Sequence, residues 1–472
     1  MKNKTPFIGR EKELNALEKR YNQPGFQMVV LYGRRRVGKT SLIQEFCKDK
    51  PHMLYVSIEQ NDHDALASFS KAVLEVFPKA SRYMQQFDNW ENVFQYITEE
   101  AGDQRFIIAI DEYPYLAAGN PSISSILQKV IDLHYLNTNL YLILCGSSLS
   151  FMEHQVLGYQ SPLYGRRTGQ LKIEAFDYYE SAMFFPEWKM EEKLMAYGVA
   201  GGIPQYLNRL ALENNLWEGI KNNFLSTDGF LFEEPSNLLK QELREPAVYN
   251  SIIAAIAGGA GRLGEIAAKS GEEPKKCTKY INALMDLQIV KKESPVGENN
   301  QRKSRYVLTD QLFTFWYRFI PANITLIETD MGDALLEQNI KPLLPEYMGQ
   351  IFEAICLQYL LRINRHQKLP FLATELGRWW GNNPQLKKEE EIDIVSFHGE
   401  KALFGECKWR NEKLNQSVLK DLVRKSQLFK QIKEPHYYLF SKSGVTPGVK
   451  KEAELMGNVY LITPADLLKT EL

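Results

Sequence analysis

The chain has 472 residues, 44% of them hydrophobic and 24% charged, and a formal net charge of −1. That length is too great for one ordinary domain and predicts two to four, while the composition is globular and excludes disorder as the rule. A near-neutral balance excludes a general cationic field, so a polyanion would have to be met by local patches.

The five cysteines (Cys47, Cys145, Cys277, Cys356 and Cys407) are scattered without a C-x-x-C pair. This argues for a reducing compartment, against a disulfide framework and against a thiolate zinc site. The opening MKNKTPFIGREKELNAL lacks the apolar core of a signal peptide. No apolar run approaches the roughly 20 residues that span a bilayer. A cytoplasmic protein with no membrane partner is expected.

From Phe7 to about residue 185, apolar strands alternate with helical stretches. The strands read FQMVVLYG, HMLYVSI, RFIIAID and LYLILCGSS. Alternation of this kind predicts an α/β unit with a parallel sheet covered on both faces. From about residue 187 to Leu243 the pattern is helical, interrupted by GGIP. From Pro246 to about Phe319 come three helical stretches and a β-hairpin, followed by a helical connector rich in Leu and Pro. The remainder returns to mixed helix and strand. No internal repeat or low-complexity segment is evident.

Gly33-Arg34-Arg35-Arg36-Val37-Gly38-Lys39-Thr40 matches G-x-x-x-x-G-K-[ST] between a strand and a helix, the context that motif requires. Gly33 and Gly38 allow backbone N–H groups to turn toward phosphate, and the helix N-terminus adds positive potential. Lys39 is expected on the β- and γ-phosphates, and Thr40 on Mg²⁺. Arg36 and Ser41 complete the nucleotide set. RFIIAIDEYPYL brings Asp111 and Glu112 to the carboxyl end of a strand, where open α/β sheets place their ligands. Asp111 is expected to hold Mg²⁺ and Glu112 to orient or deprotonate the attacking water. Ser147, ending the next apolar strand, either senses the γ-phosphate or caps a helix. Of Arg166 and Arg167, one is either an arginine finger acting in trans or a surface cation; Arg167 is carried as the nucleotide-site candidate.

Together with GSS, GRR, FIGREKEL and GGIPQYL, these motifs resemble the prokaryotic AAA+-related ATPases called archaeal-type ATPases. The resemblance covers nearly the whole chain. It implies ATP as the ligand and Phe7 to Arg10 near the adenine. It also implies a helical lid containing GGIPQYL, then a winged helix and a nuclease-like domain. The expected architecture is a multidomain α/β chain. A P-loop AAA+-like ATPase core spans 1–185, a helical lid 186–245, a winged helix 246–320, a helical connector 321–348, and a restriction-endonuclease-like α/β domain 349–472.

In the middle unit, RLGEIAAKSG reads as the first helix of a helix-turn-helix and PKKCTKYINALMDLQIV as the recognition helix. Lys275, Lys276 and Lys279 lie near the N-terminal end of the latter, where such helices meet DNA. KKESPVGENNQRKSRY would be the wing, with Lys291, Lys292, Arg302, Lys303 and Arg305. The unit either contacts DNA or serves only for packing.

EIDIVSFHGEKALFGECKW reads as two strands joined at His398-Gly399. Side chains alternate along a strand, so Glu406 and Lys408 share a face and Cys407 takes the other. Asp393 lies in the partner strand. Two converging carboxylates need a cation, for which Mg²⁺ is the natural guest. The arrangement resembles the PD-(D/E)xK nuclease core, which implies Asp393, Glu406 and Lys408 as catalytic residues. It also implies the carbonyl of Cys407 as a further metal ligand and Glu353 as the glutamate of the preceding helix. RWWGNNP fits the same relatives, and Gln427 stands where some members carry a helical glutamine. The retained acids favour cleavage, with a fold that only binds as the alternative.

Two functions therefore compete. One is an ATP-hydrolysing enzyme acting on DNA with Mg²⁺-dependent phosphodiester hydrolysis. The other is a nucleotide-operated switch whose C-terminal domain binds DNA or protein without cutting. A homo-oligomer is compatible with both, and a membrane-associated scaffold finds no anchor in the sequence.

Overall fold

Gln27–Tyr32 (β1) is buried at all six positions, and the long apolar side chains that dominate it would be insoluble unless both faces were covered. A computed structural model, which describes residues 7–298, 303–384 and 386–469, supplies that cover. Lys39–Cys47 (α1) follows β1 directly, then His52–Val56 (β2), Phe106–Asp111 (β3), Tyr113–Gly119 (α2), Leu140–Gly146 (β4) and Gly169–Lys172 (β5). The five strands run parallel in the order β2-β3-β4-β1-β5. The matching registers align the carboxyl ends of β1, β3 and β4, so Gly33, Asp111 and Ser147 emerge along one edge. Helices cover the sheet over a core that includes Phe69, Phe94, Leu127 and Tyr135.

The described residues divide into two compact units. One runs to Ala175 and includes Ile203–Gln205; the other is Phe176–Gly202 with the residues from Tyr206 onward. In the first unit, Pro204 of GGIPQYL lies against the phosphate loop, 3.7 Å from where a Cβ on Gly38 would stand.

In the second unit, Pro246–Ala257 (α3), Leu263–Ser270 (α4) and Pro274–Asp286 (α5) pack through Ile252, Ile253, Ile266, Ile281 and Leu284, all fully buried. An antiparallel pair follows, Val290–Glu293 (β6) with Arg305–Leu308 (β7). Arg302 lies outside the described residues. Lys341–Arg365 (α6) is one continuous helix with Pro345 in its second turn, so it carries the chain across position 348 without a break.

Beyond it come Gly377–Asn383 (β8), Lys388–His398 (β9), Lys401–Lys408 (β10), Gln416–Ser426 (α7), Glu434–Ser441 (β11), Pro447–Met456 (α8) and Val459–Ile462 (β12). The sheet order is β12-β11-β10-β9-β8, antiparallel across β8, β9 and β10 and parallel across β10, β11 and β12. The β9–β10 turn is Gly399-Glu400, and Gly399 has φ 60°, as a tight hairpin requires. Ile392, Val395, Ala402 and Phe404 join Leu419 and Leu422 of α7 in the core on one face of this sheet. α6 packs on β9 and β10, with Phe352 against Trp409 just past the end of β10.

Candidate functional sites

The turn after β1 is held tightly. A Cβ on Gly33 would stand 2.2 Å from the carbonyl oxygen of Ile173, so only glycine fits there. Arg36 (φ 69°) and Gly38 (φ 89°) take left-handed conformations that curl the loop back to the start of α1. Arg10 is almost wholly buried and bridges the loop to the segment after β5. It donates to the carbonyls of Val37 (2.9 Å) and Glu174 (2.7 Å).

The Lys39 ammonium is buried too and donates to the carbonyls of Gly33 and Arg34, each at 2.9 Å. Burial lowers its pKa, against the pull of Cys145, Glu112 and Asp111. Thr40 Oγ1 donates to Asp111 Oδ2 at 2.5 Å, and Asp111 Oδ1 accepts the Glu112 N–H at 2.9 Å. Glu112 has φ 52° and starts α2, which turns its carboxylate toward β4. Its Oε2 accepts the Ser147 hydroxyl at 2.8 Å. Ser41 sits exposed in the first turn of α1. Loop, acidic pair and Ser147 thus form one network at the carboxyl edge of the sheet. A hydroxyl and a carboxylate already in contact, Thr40 and Asp111, are the donor set a hard divalent cation takes.

The two arginines of GRR are engaged elsewhere. Arg166 pairs with both oxygens of Asp132 at 2.8 and 2.7 Å. Arg167 donates to the Leu157 carbonyl at 3.0 Å and lies 5.7 Å from the Tyr164 ring.

A second polar cluster lies in the C-terminal sheet. Gly377 pairs with Val395 but Trp379 with Ile392, so β9 carries one extra residue opposite Arg378. The extra residue falls at Asp393-Ile394. Bulges of this kind re-aim side chains and gather beside active sites. Asp393 Oδ2 accepts the Cys407 N–H at 2.8 Å and lies 3.6 Å from Lys408 Nζ. Lys408 also bonds Glu406 Oε1, so one ammonium ties the two carboxylates together. Asp393 and Glu406 together outweigh burial and raise the Lys408 pKa. Glu406 is only 8% exposed, and its second oxygen, Oε2, has no hydrogen-bond partner. The cation facing that oxygen is Lys425 of α7, at 3.6 Å.

Glu353, on α6, faces the same cluster. Burial, reinforced by Asp393, pushes its pKa up to about 8, with Arg378 opposing from 3.5 Å. Arg378 also bonds Glu391, whose contact with it is the closer. Cys407 and Cys356 are both buried beside one another, and burial keeps each thiol protonated. An open cleft of about 450 Å³ adjoins the cluster, lined by Glu346, Glu353, Cys407, Lys408 and Arg410 among others. Among the described residues, no three His, Cys, Asp or Glu side chains stand ready to hold a metal ion.

The roles of Arg378 and Lys425 escaped sequence reasoning, although RWWGNNP begins with the arginine and the α7 sequence contains the lysine. α7 presents Lys425 to the cluster, whereas Gln427 is an exposed residue at the helix end. Helical periodicity measured from Leu419 and Leu422 could have singled out the lysine, but the facing carboxylate could not have been known.

A family described as ATPase domains predominantly from Archaea matches residues 7–210, which span the loop, the acidic pair and Ser147. An uncharacterized protein of Methanocaldococcus jannaschii is 35% identical over 427 residues, covering 89% of this chain and 92% of that protein. The chain belongs to the archaeal-type ATPases. This ATPase also matches an uncharacterized ATP-binding protein of the same organism, at 48% identity over 44 residues, 9% of this chain and 75% of the other. Its fold is shared with the Walker-type ATPase PABY2304 of Pyrococcus abyssi, at TM-score 0.50 and 22% identity, covering 66% of this chain and 96% of that one. A second family, archaeal and bacterial proteins of unknown function, matches residues 316–421 and so includes Glu353, Arg378, Asp393, Glu406 and Lys408. ATP binding and hydrolysis are the activities of the archaeal-type ATPase unit. Among the described residues, no helix is long and apolar enough to cross a membrane.

Proposed function

We propose that this ATPase acts on DNA and that its C-terminal domain hydrolyses phosphodiester bonds with Mg²⁺. The observation that carries the reading is the Asp393 bulge: it turns a strand carboxylate toward Glu406 and Lys408 beside an open cleft. Asp393 and Glu406 are oxygen donors of the kind Mg²⁺ takes, and the buried Oε2 of Glu406, which accepts no hydrogen bond, is the atom an ion would satisfy. The Cys407 carbonyl would be a third donor. A bound ion would polarise a phosphate oxygen and lower the pKa of a water. Lys408, released from Glu406, would then face the charge developing on the phosphate. Glu353 and Arg378 set the charge around the pair.

In the ATPase unit, Lys39 would exchange its loop carbonyls for phosphate oxygens, with Arg36 and Ser41 beside them. Thr40 and Asp111 would hold Mg²⁺. Glu112 would hold the attacking water, with Ser147 fixing its carboxylate. Arg167 would reach a nucleotide only by giving up Leu157.

The proposed division is an ATPase core to residue 185, a lid over 186–245, a winged helix over 246–320, a connector over 321–348 and a nuclease-like domain over 349–472. Lys275, Lys276 and Lys279 are exposed at the start of α5, which supports DNA contact there.

A second reading, a nucleotide-operated regulator that binds without cutting, is favoured by one observation. Lys408, Lys425 and Arg378 already neutralise the acidic cluster. Plasmid nicking with Mg²⁺ or Mn²⁺, with and without ATP, decides between the two. The nuclease reading expects cutting by the wild type and its loss in Asp393→Ala; wild type and variant both leaving the plasmid intact would refute it.

A further inference from the structure

The β6–β7 hairpin offers several basic residues to a polyanion, but it is already bound. Val296 N–H, in the connection after β6, donates to the Arg378 carbonyl of β8 at 3.0 Å. The Trp380 indole N–H of β8 donates to the Lys303 carbonyl at 3.1 Å. The Arg305 guanidinium stands 2.9 Å from Glu389 of β9 and 4.9 Å from the centre of the Trp380 ring. A Cβ on Gly297 would stand 3.2 Å from the Phe397 ring. A backbone bond, an indole bond, an ion pair and a ring contact thus fix one hairpin to one sheet edge.

The edge explains the docking. β8 is the outermost strand of its sheet, and an uncovered edge leaves carbonyls and amides without partners. The hairpin satisfies one of them through Val296. Its ionic hold, Arg305 on Glu389, is partly exposed, which is the kind of contact that salt and competing phosphates weaken. Lys292 of β6 faces solvent, as do Lys275 and Lys279 on α5.

We infer that the hairpin is a strap between the middle unit and the C-terminal sheet. Docked, it withholds the Arg305 guanidinium from nucleic acid, whereas the Lys303 ammonium pairs within the hairpin with Glu298; duplex DNA engaging α5 recruits that guanidinium only by lifting the hairpin off β8 and β9. The inference rests on the DNA reading but not on cleavage.

The test is the affinity of the full chain for a fluorescein-labelled duplex, read by anisotropy in EDTA so that nothing is cut. Val296→Cys with Gly377→Cys would lock the strap. A Cβ on Gly377 stands 3.1 Å from Val296 Cγ2, which is within disulfide reach, and the five native cysteines are buried. The oxidised form is expected to bind several-fold more weakly, with a salt slope shallower by about 1 charge, and reductant is expected to restore both. Glu389→Gln, on an exposed site, is expected to bind more tightly and to speed hydrogen exchange at Val296. Equal affinity and slope in the oxidised and reduced lock, with the wild type still binding duplex, would overturn the strap and leave the DNA reading standing. No duplex binding by the wild type would remove the DNA reading, and the strap with it.

Discussion

Gly33→Ala tests the geometry of the phosphate loop at one atom. The added Cβ would stand 2.2 Å from the Ile173 carbonyl oxygen and 3.1 Å from its carbon. The obstacle is backbone, and it is pinned, because the Ile173 N–H donates to the Tyr32 carbonyl at 2.7 Å. No rotamer change relieves the contact, so β1, β5 or the loop must move by about an ångström. Overpacking of this kind costs about 1–3 kcal/mol. For a unit of this size that lowers Tm by roughly 2–12 °C. The Gly33 carbonyl also accepts from Lys39, so displacement of the loop disturbs the ammonium and ATP affinity falls with stability. Calorimetry of the full chain with and without a non-hydrolysable ATP analogue identifies the transition of the ATPase unit by its response to ligand. A Gly33→Ala transition within about 1 °C of wild type, half the smallest shift expected, with unchanged analogue affinity, would refute the packing argument.

Lys39→Ala is expected to lower ATP turnover by about 100-fold or more, measured as phosphate release, because it removes the buried cation of the loop. Glu112→Gln is expected to keep nucleotide affinity, measured by calorimetry, and to lose about 10²–10⁴ in turnover. Glu353 gives a pH signature. Its folded pKa, about 8, stands above its ordinary value of 4.5, so the folded chain holds a proton the unfolded chain has lost between those values. Stability therefore falls as pH rises from about 4.5 to about 8, by at most about 1.4 kcal/mol per pH unit. Glu353→Gln is expected to flatten that slope in urea titrations at pH 5 and pH 8, and an unchanged slope would count against the burial argument.

The phosphate loop was legible because its chemistry is local. Eight consecutive residues carry the turn, the cation and the hydroxyl, and the flanking apolar run predicts the strand. Asp111 and Glu112 were legible for the same reason, ending a strand buried on both faces. The β9–β10 hairpin was legible too, down to the shared face of Glu406 and Lys408. The bulge was not, because it is a mismatch between two strands and no single strand encodes it. Arg378 and Lys425 were hidden likewise: the cluster carboxylates they meet, Glu391 and Glu406 among them, lie at least 13 residues away. The basic hairpin read as free because its acidic and aromatic partners, Glu389 and Trp380, lie some 80 residues further on.

The sequence by itself determined which groups are available: a phosphate loop, an acidic pair, a strand aspartate and an E-x-K strand. Periodicity and local turn chemistry act over a few residues, and these features are that short. The tertiary structure alone decided how they are charged and where they meet. It set Ser147 on Glu112, Lys408 between two carboxylates, Glu353 in surroundings dry enough to keep its proton, and the hairpin on a sheet edge. Those outcomes depend on burial and on pairing between distant segments, which are properties of the packed chain and not of any stretch of it.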